Sequence, residues 1–472
     1  MAATSWGALA RSARVTPPWS PTCAHTSRRD PPVGSAAVSS TSGDATTQTS
    51  ATEAVRAAAR RAHAASVALR TAPDARVSEA LAAAADRVAG AAGAVLAANA
   101  RDVAAAQDRG MSAGLLDRLR LDPARLESAA QQLREIAALP AQPRMAFVRD
   151  LPGGEGAVWE RRVPVGVIGA TYEARPAVTL DVAGQVLRAR SAAVLRTGSA
   201  ALGTSAVLVD EVLTPALAAA GLPDGAVELV REPGHDAAEA LVAQPDLVPL
   251  VIVRGSGETT RHLSRLGASA GTRVLAHADG GGVMYADVAA DLDRFRSLLR
   301  AGVDRLGVCN RLNLLLVHSA RWEELSQVAV EVLGDAGVEA LLPPHEHELG
   351  HEWALDSGRE ARVTVAPVAG PVEATALAAA ETSGIAATVV TEDAGTAAEF
   401  LGAWGGTGGF WNTTTRLLDG YKLLGVPETG ISVDSVPGPR GPVTGGDLVL
   451  RQFVVLPAGT SGADAVQDSL RG

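Results

Sequence analysis

One cysteine stands between a glycine-bearing turn and an apolar run in RLGVCNRLNLLLV, residues 305–317. The chain has two cysteines, Cys23 and Cys309. A thiolate attacks acyl carbons well and leaves well, so Cys309 could hold an acyl group as a thioester. The competing reading is a small buried hydrophobe. Two glycine-rich turns are the other candidates, LRTGSAALGTS at 195–205 and IVRGSGETT at 252–260. Each follows an apolar run and opens a helical pattern. Free backbone N–H groups at a helix start attract phosphate, and glycine lets the backbone come close. Gly198 and Ser199 in the first turn, and Gly255, Ser256 and Gly257 in the second, are therefore candidate phosphate contacts. Arg196 and Arg254 sit at the strand ends, where a guanidinium could add a bidentate bond. No GxGxxG follows the first strand, so the ordinary dinucleotide fingerprint is missing, and tight turns that merely need glycine remain the alternative.

A third pattern is His347-Glu348-Leu349-Gly350-His351, a literal HExxH. On a helix, its histidines would share a face and bind zinc with Glu348 as base. Pro343-Pro344 precede it, the surrounding HEHELGHEW offers no apolar face, and position 354 is Ala, so the extended zinc motif fails. A solvated loop with no metal is the expectation.

Positioning these residues requires α/β architecture. Residues 51–139 are alanine-rich with charges at helical spacing, and Asp122-Pro123 reads as the N-cap and first residue of a helix. Short apolar strands then alternate with helices: 163–171, 192–197, 226–230, 248–255 and 273–277. That pattern predicts a doubly wound parallel sheet. After Gly280–Gly282 the alternation resumes through VMYAD, LNLLLVHS, ARVTVAP and AATVVT, predicting a second α/β domain over 276–405. RQFVVLP, residues 451–457, is a strand with no neighbour in sequence, expected to pair elsewhere, with a partner subunit as one candidate.

Composition narrows the classes. The chain has 472 residues, 47% apolar, with a formal net charge of −10. No stretch is basic enough to track a nucleic acid, and no apolar run is read as a membrane span. Two distant cysteines build neither a disulfide framework nor a four-cysteine zinc site, and a reducing cytoplasm is the natural compartment. Lys422 is the sole lysine. Residues 1–50 are rich in Ser, Thr, Pro and Gly without apolar periodicity, which predicts a disordered tail. That tail lacks the continuous apolar core of a secretory signal.

Several blocks together resemble the γ-glutamyl phosphate reductase family of the aldehyde dehydrogenase superfamily. They are VPVGVIGATYEARPAVTLDVAG, AAVLRTGS, VIVRGSG, the VCN around Cys309, WNTTTRLLDG, ETGISVD and PGPRGPV, in that order along residues 51–460. The resemblance implies a cofactor domain over 51–275 with its N-terminal helices, a catalytic domain over 276–405, and a return segment with a β-flap oligomerisation strand over 406–472. It implies NADPH as cofactor, L-glutamate 5-phosphate as substrate, and Cys309 as the nucleophile that forms a thioester on the route to proline. Arg175, Asn310, Asn412, Arg416 and Arg440 are the implied substrate-binding or architectural residues, with a homodimer or higher oligomer, and association with a glutamate kinase, as expected assemblies.

The chain also departs from that pattern. RAGVDRLGV before the cysteine has no lysine, Asn313-Leu314 replaces a Glu-Thr pair, Gly282-Val283 replaces a Cys-His pair, and Pro439-Arg440-Gly441-Pro442 replaces Ala-Arg-Gly-Pro. A divergent paralogue acting on another acyl phosphate, or a non-catalytic binding partner, is the alternative.

Overall fold

In the computed structural model, residues 42–140, 144–255, 257–277, 280–356, 358–434, 438–458 and 463–471 are described. The chain divides into two compact units, Met1–Ala45 and Thr46–Gly472, and the features below belong to the second. Cys23 and most of the expected N-terminal tail lie outside the described residues. Helix α1 (Ser42–Thr71) nevertheless begins nine residues before the helical pattern was expected to start.

Helices α1, α2 (Asp74–Asp108), α3 (Ala113–Leu119) and α4 (Pro123–Ala138) form an alanine-rich layer. On α2 the buried residues Val77, Leu81, Ala84, Val88, Ala91 and Val95 recur at three- and four-residue steps, the stripe that a helix buries against a core. Asp122 caps α4 by accepting from Arg125 N–H at 2.7 Å, with Pro123 in the first turn. By length and composition, two helical runs, Asp74–Asp108 and Ser199–Ala219, could cross a membrane, against the expectation from sequence. Alanine raises their mean hydropathy without bulk, and both pack into the same core through Leu81, Val88, Leu208 and Val212.

The first sheet is wholly parallel, in the order β5 (Val227–Leu229), β4 (Ala192–Thr197), β3 (Val167–Tyr172), β6 (Leu250–Arg254), β7 (Arg273–His277). The chain starts at β3 in the centre, steps outward to β4 and β5, then returns to β6 and β7. Ligands of such sheets bind at the carboxyl ends beside this reversal. Helix α5 (Val178–Arg188) connects β3 to β4. The strand expected over 163–171 is in fact two. The flap strand β2 (Gly156–Pro164) ends first, Gly166 takes φ +107°, and β3 starts at Val167.

The second sheet is also parallel, in the order β10 (Glu339–Leu341), β11 (Arg362–Val368), β9 (Leu312–His318), β8 (Gly282–Ala286), β12 (Ala386–Val390), β13 (Gly408–Trp411). Its last strand lies beyond residue 405, where the second domain was expected to end. GGFW is short and glycine-rich, so it carries little strand signal. Core side chains cover both faces, led by Phe295, Leu315 and Val332 on one and Tyr285, Leu316 and Phe400 on the other.

The strand with no neighbour in sequence pairs elsewhere in the same chain. Strand β16 (Val449–Pro457) pairs antiparallel with β2 (Gly156–Pro164) along its full length, and β2 pairs with β1 (Met145–Asp150). MAFVRD and GAVWERRVP mix short apolar runs with clustered charges, and β1 is mostly exposed while β2 is mostly half-buried, so neither reads as a core strand. A short ladder, β14 (Ile431–Ser432) with β15 (Gly441–Pro442), completes the return segment.

The flap's far end depends on Gly156, at φ +149°, where a Cβ would meet the Leu456 carbonyl oxygen at 2.3 Å and Pro457 Cα at 2.9 Å. Gly156→Ala is expected to lower stability by about 1–3 kcal/mol, seen as an earlier urea midpoint at unchanged slope. A midpoint within error of the parent would contradict this close approach.

Candidate active site

Cys309 lies in the turn between helix Leu292–Gly302 and β9. The stretch preceding β8 runs alongside it. Gly281 N–H donates to the Cys309 carbonyl at 2.7 Å, and Gly282 N–H to that of Arg311 at 2.7 Å. A Cβ on Gly280 would sit 2.6 Å from both Cys309 Cα and its carbonyl oxygen. Only glycine permits that approach. The thiol packs against an apolar cluster of Ile385, Ala386, Leu418 and Ile431. Burial pushes it up to about 11, the carboxylates of Glu428 and Glu352 add to the rise, and Arg254 and Arg175 oppose it. At pH 7 this leaves roughly one thiol in ten thousand ionised.

Glu428 and Glu352 were not among the candidates read from sequence. Burial, followed by repulsion from Asp419, raises Glu428 to about 7, while its Oε2 accepts Gly420 N–H at 2.7 Å. ETGISVD carries Glu428 in plain view, but nothing in its spacing distinguishes a carboxylate folded against the thiol from a solvated one. Glu352 accepts Gly280 N–H at 2.9 Å, one residue after the HELGH motif. That motif forms a loop and lacks the helix a two-histidine zinc site would use. His347 Nδ1 pairs with the Glu348 carbonyl at 2.9 Å, His351 Nε2 with Asp356 at 3.0 Å, and both rings pack on Trp353. Asn313 latches the loop. Its Nδ2 donates to the His351 carbonyl at 2.8 Å, and its Oδ1 accepts Trp353 N–H at 3.1 Å. A residue that departs from the family pattern thus holds the segment that brings Glu352 to the cysteine.

The structure divides the other sequence candidates. Arg175 is half-buried, and burial pushes its guanidinium down to about 10, with Arg254, Arg118 and Arg305 pressing the same way and Cys309 opposing. Ala174 precedes it at φ +45°, a conformation costly for alanine that turns the chain just after β3. Asn310 is buried and donates to the Leu418 carbonyl at 2.8 Å, while Arg416 donates to the Asn310 side-chain oxygen and, at 2.7 Å, to Asp304. This pair braces the turn around Cys309. Asn412 lies elsewhere. At φ +51° it accepts Thr391 N–H at 3.1 Å and donates to the Thr391 carbonyl at 2.9 Å, beyond the carboxyl end of β12. Cys309 adjoins the amino ends of β8 and β9, so the geometry reassigns Asn412 from substrate contact to strand-end brace. Arg440 is exposed and donates to the carbonyls of Val433, at 3.1 Å, and Gly405, which makes it a loop tie.

The glycine turns share one edge. Tyr172 is the register partner of both Thr197 and Arg254, so Gly198 and Gly255 follow the two strands that flank β3, level with each other at the carboxyl end. A Cβ on Gly198 would touch nothing within 4 Å, Ser199 is exposed, and Thr197 Oγ1 is buried without a hydrogen-bond partner. Open space beside an unmet hydroxyl suits a phosphate-bearing cofactor. Gly257 begins the helix Gly257–Ala270, Gly255 faces the Glu173 carboxylate, and Ser256 lies outside the described residues. Arg254 points towards the buried Asp181 at 3.9 Å and acts electrostatically on the thiol. Arg196 is buried and its Nη2 donates to the carbonyls of Pro233 and Gly234 at 2.9 and 2.7 Å, tying down the start of the next helix, while its Nε is left without a hydrogen-bond partner.

A family model described as the aldehyde dehydrogenase family matches residues 35–340. The chain belongs to the aldehyde dehydrogenase family. It is 36% identical over 407 residues to a γ-glutamyl phosphate reductase of Rhizorhabdus wittichii, covering 84% of this chain and 92% of the relative. It is equally identical over 424 residues to one from Kineococcus radiotolerans, covering 86% and 96%. The solved γ-glutamyl phosphate reductase of Thermotoga maritima superposes with a TM-score of 0.78 at 25% identity, over 86% of this chain and 99% of that one. An acetylating aldehyde dehydrogenase of Geobacillus thermoglucosidasius shares the fold with a TM-score of 0.64 at 15% identity, over 86% and 97%. The expected α/β architecture is the one this family member adopts.

Removing the Glu428 charge should ease ionisation of the thiol. In Glu428→Gln the Cys309 titration is expected to shift downward, so alkylation by iodoacetamide at pH 8 accelerates several-fold. The same variant should be more heat-stable at pH 8. A folded carboxyl raised from 4.5 to about 7 favours its protonated form, so the native state loses stability as pH rises through that window, and the amide avoids the loss. The gain should vanish below pH 4.5. Slower alkylation together with a lower melting temperature at pH 8 would reject this electrostatic picture.

Proposed function

We propose that this protein catalyses the NADPH-dependent reduction of L-glutamate 5-phosphate to L-glutamate 5-semialdehyde and phosphate, in proline biosynthesis. The observation that carries the reading is one half-buried thiol, under the charges of two arginines, beside the glycine-open carboxyl edge of a doubly wound sheet. The similarity to γ-glutamyl phosphate reductases supports the substrate, and the reducing compartment expected of a free catalytic thiol is the cytoplasm.

The chain's own groups account for the chemistry. Arg175 and Arg254 draw the acyl phosphate to the cysteine and stabilise its ionised sulfur. Glu428, held near neutrality, takes the thiol proton. The sulfur adds to the acyl carbon, the acyl–oxygen bond breaks, and phosphate departs with the proton that Glu428 returns. The Cys309 backbone N–H steadies the oxyanion during this exchange. Gly198, Ser199, Gly255 and Gly257 line the edge that would hold the dinucleotide, whose bound form supplies the hydride that converts thioester to thiohemiacetal. Collapse of the thiohemiacetal then releases the aldehyde and the thiolate, which regains a proton from solvent.

The flap supports a further part of the reading, a homodimer. Its surface exposes Phe147, Val148, Leu450, Phe453 and Val455, apolar residues that a second copy would cover.

Cys309→Ala is expected to abolish acyl-phosphate reduction while leaving NADPH affinity within threefold of the parent. Activity surviving within tenfold would remove the cysteine from the mechanism. Expression in a proline-requiring strain that lacks this reductase should restore growth. Failure to restore growth, with a folded protein that binds NADPH, would favour a divergent paralogue acting on another acyl phosphate, or a non-catalytic partner.

A further inference from the structure

Opposite the carboxyl edge, the amino end of the first sheet closes over a cavity of about 310 Å³. Arg70, Arg144, Arg161, Arg162, Arg188 and Arg190 line it, and Asp74 is the one acidic residue of the lining. Three of these arginines converge on a single oxygen of that carboxylate. Arg190 Nε donates to Asp74 Oδ1 at 2.9 Å, Arg188 reaches it at 3.4 Å and Arg144 at 3.5 Å. Arg162 is offset by Glu160 at 3.0 Å. Even with both carboxylates counted, six guanidinium groups face two negative charges.

Like charges are gathered at such density only where something repays the repulsion and the lost hydration. The network leaves donors unmet. Arg190 is 5% exposed, and its Nη1 is buried without a hydrogen-bond partner, as are Nε of Arg188 and Nε of Arg161. Arg190 also sits at φ +56°, immediately beyond α5, a conformation that costs a non-glycine residue free energy and recurs at ligand clamps. Arg144 titrates below the usual guanidinium range, because burial and its neighbours Arg161 and Arg188 outweigh Asp74. The remaining wall is mostly apolar, led by Ile136, Leu139, Pro164 and Val449, with Gln185 and Thr444 as its polar members.

We propose that this cavity is a binding site for a small organic phosphate monoester, separate from the catalytic site. A dianion with three acceptor oxygens matches unmet guanidinium donors, and the apolar wall matches an organic body. The site is set apart by geometry. Pro164 and Arg188–Arg190 precede β3 and β4, whereas Gly198 and Gly255 follow β4 and β6, so about 20 Å of six-residue strand separates the two ends.

Phenyl phosphate is the probe, with inorganic phosphate and phenol as its two halves, titrated by calorimetry into the intact protein saturated with NADPH. Phenyl phosphate is expected to bind at one site per chain, at least tenfold tighter than inorganic phosphate, with phenol showing no heat. Arg161→Gln, outside the Asp74 network, should weaken binding at least tenfold at an unchanged melting temperature. Arg190→Gln should abolish it. If Arg190→Gln fails to fold, Arg161→Gln and Arg144→Gln decide the matter. Equal affinity in parent and variants would overturn the proposal, because the ester would then be held elsewhere. So would the absence of binding at 10 mM ester, or a preference for the free ion. Cys309→Ala should bind the ester as the parent does, so the outcome is independent of the reductase reading.

Discussion

The closest approach in the molecule's working part is between two stretches of backbone. Gly280–Gly282 lie against Cys309–Arg311 so tightly that no side chain fits between them, and two N–H···O bonds of 2.7 Å join them. This contact aligns the amino end of β8 with that of β9 and fixes the thiol beside the entrance to the second sheet. The surrounding polar groups follow from it. Thr415 donates to the Asn310 carbonyl at 2.8 Å, Ser383 to that of Gly280 at 2.8 Å, and Arg311, fully buried, spends its guanidinium on carbonyls of Leu312, Glu360 and Arg362. A buried arginine that bonds only backbone in this way rivets the start of β9 to the start of β11, and burial pushes it down to about 10.

The electrostatics of the site are a contest on that rigid frame. Two arginines favour the thiolate, while two carboxylates and an apolar wall favour the thiol. The neutral form wins at rest because desolvation is the largest influence. A dianion bound there would screen the arginines and displace water, both of which favour the neutral thiol. Placing Glu428 near neutrality gives the site a group able to carry a proton in either direction at physiological pH.

Much of this was legible before any coordinates. Alternation of short apolar runs with helices predicted both parallel sheets, and the bounds of β4 and β7 agree to the residue, because buried parallel strands are apolar throughout. The Asp122-Pro123 cap was visible because capping chemistry is local. The flap was not. Its outer strands are mostly exposed and carry no buried period-two pattern, so β1 passed unread, and the separation of 285 positions between 164 and 449 concealed which segment β16 pairs with. Within the site, Cys309 and the glycine turns stood out by residue type. Arg196, Asn412 and Arg440 carry suggestive chemistry, yet fold onto carbonyls that no spacing rule predicts. Glu352 was hidden for the opposite reason, inside a motif whose literal pattern belongs to another chemistry.

Keeping the thiol protonated also sets how the protein ages. Peroxide, like any electrophile, reacts with the thiolate far faster than with the thiol, and the first oxidised product, a sulfenic acid, is readily driven further towards irreversible forms. A cysteine ionised in roughly one molecule in ten thousand is oxidised correspondingly slowly. No other described residue is a cysteine that could rescue Cys309 as a mixed disulfide. The apolar, carboxylate-flanked setting of Cys309 therefore does what a resolving thiol does elsewhere: it protects the sulfur from oxidation while it stays protonated.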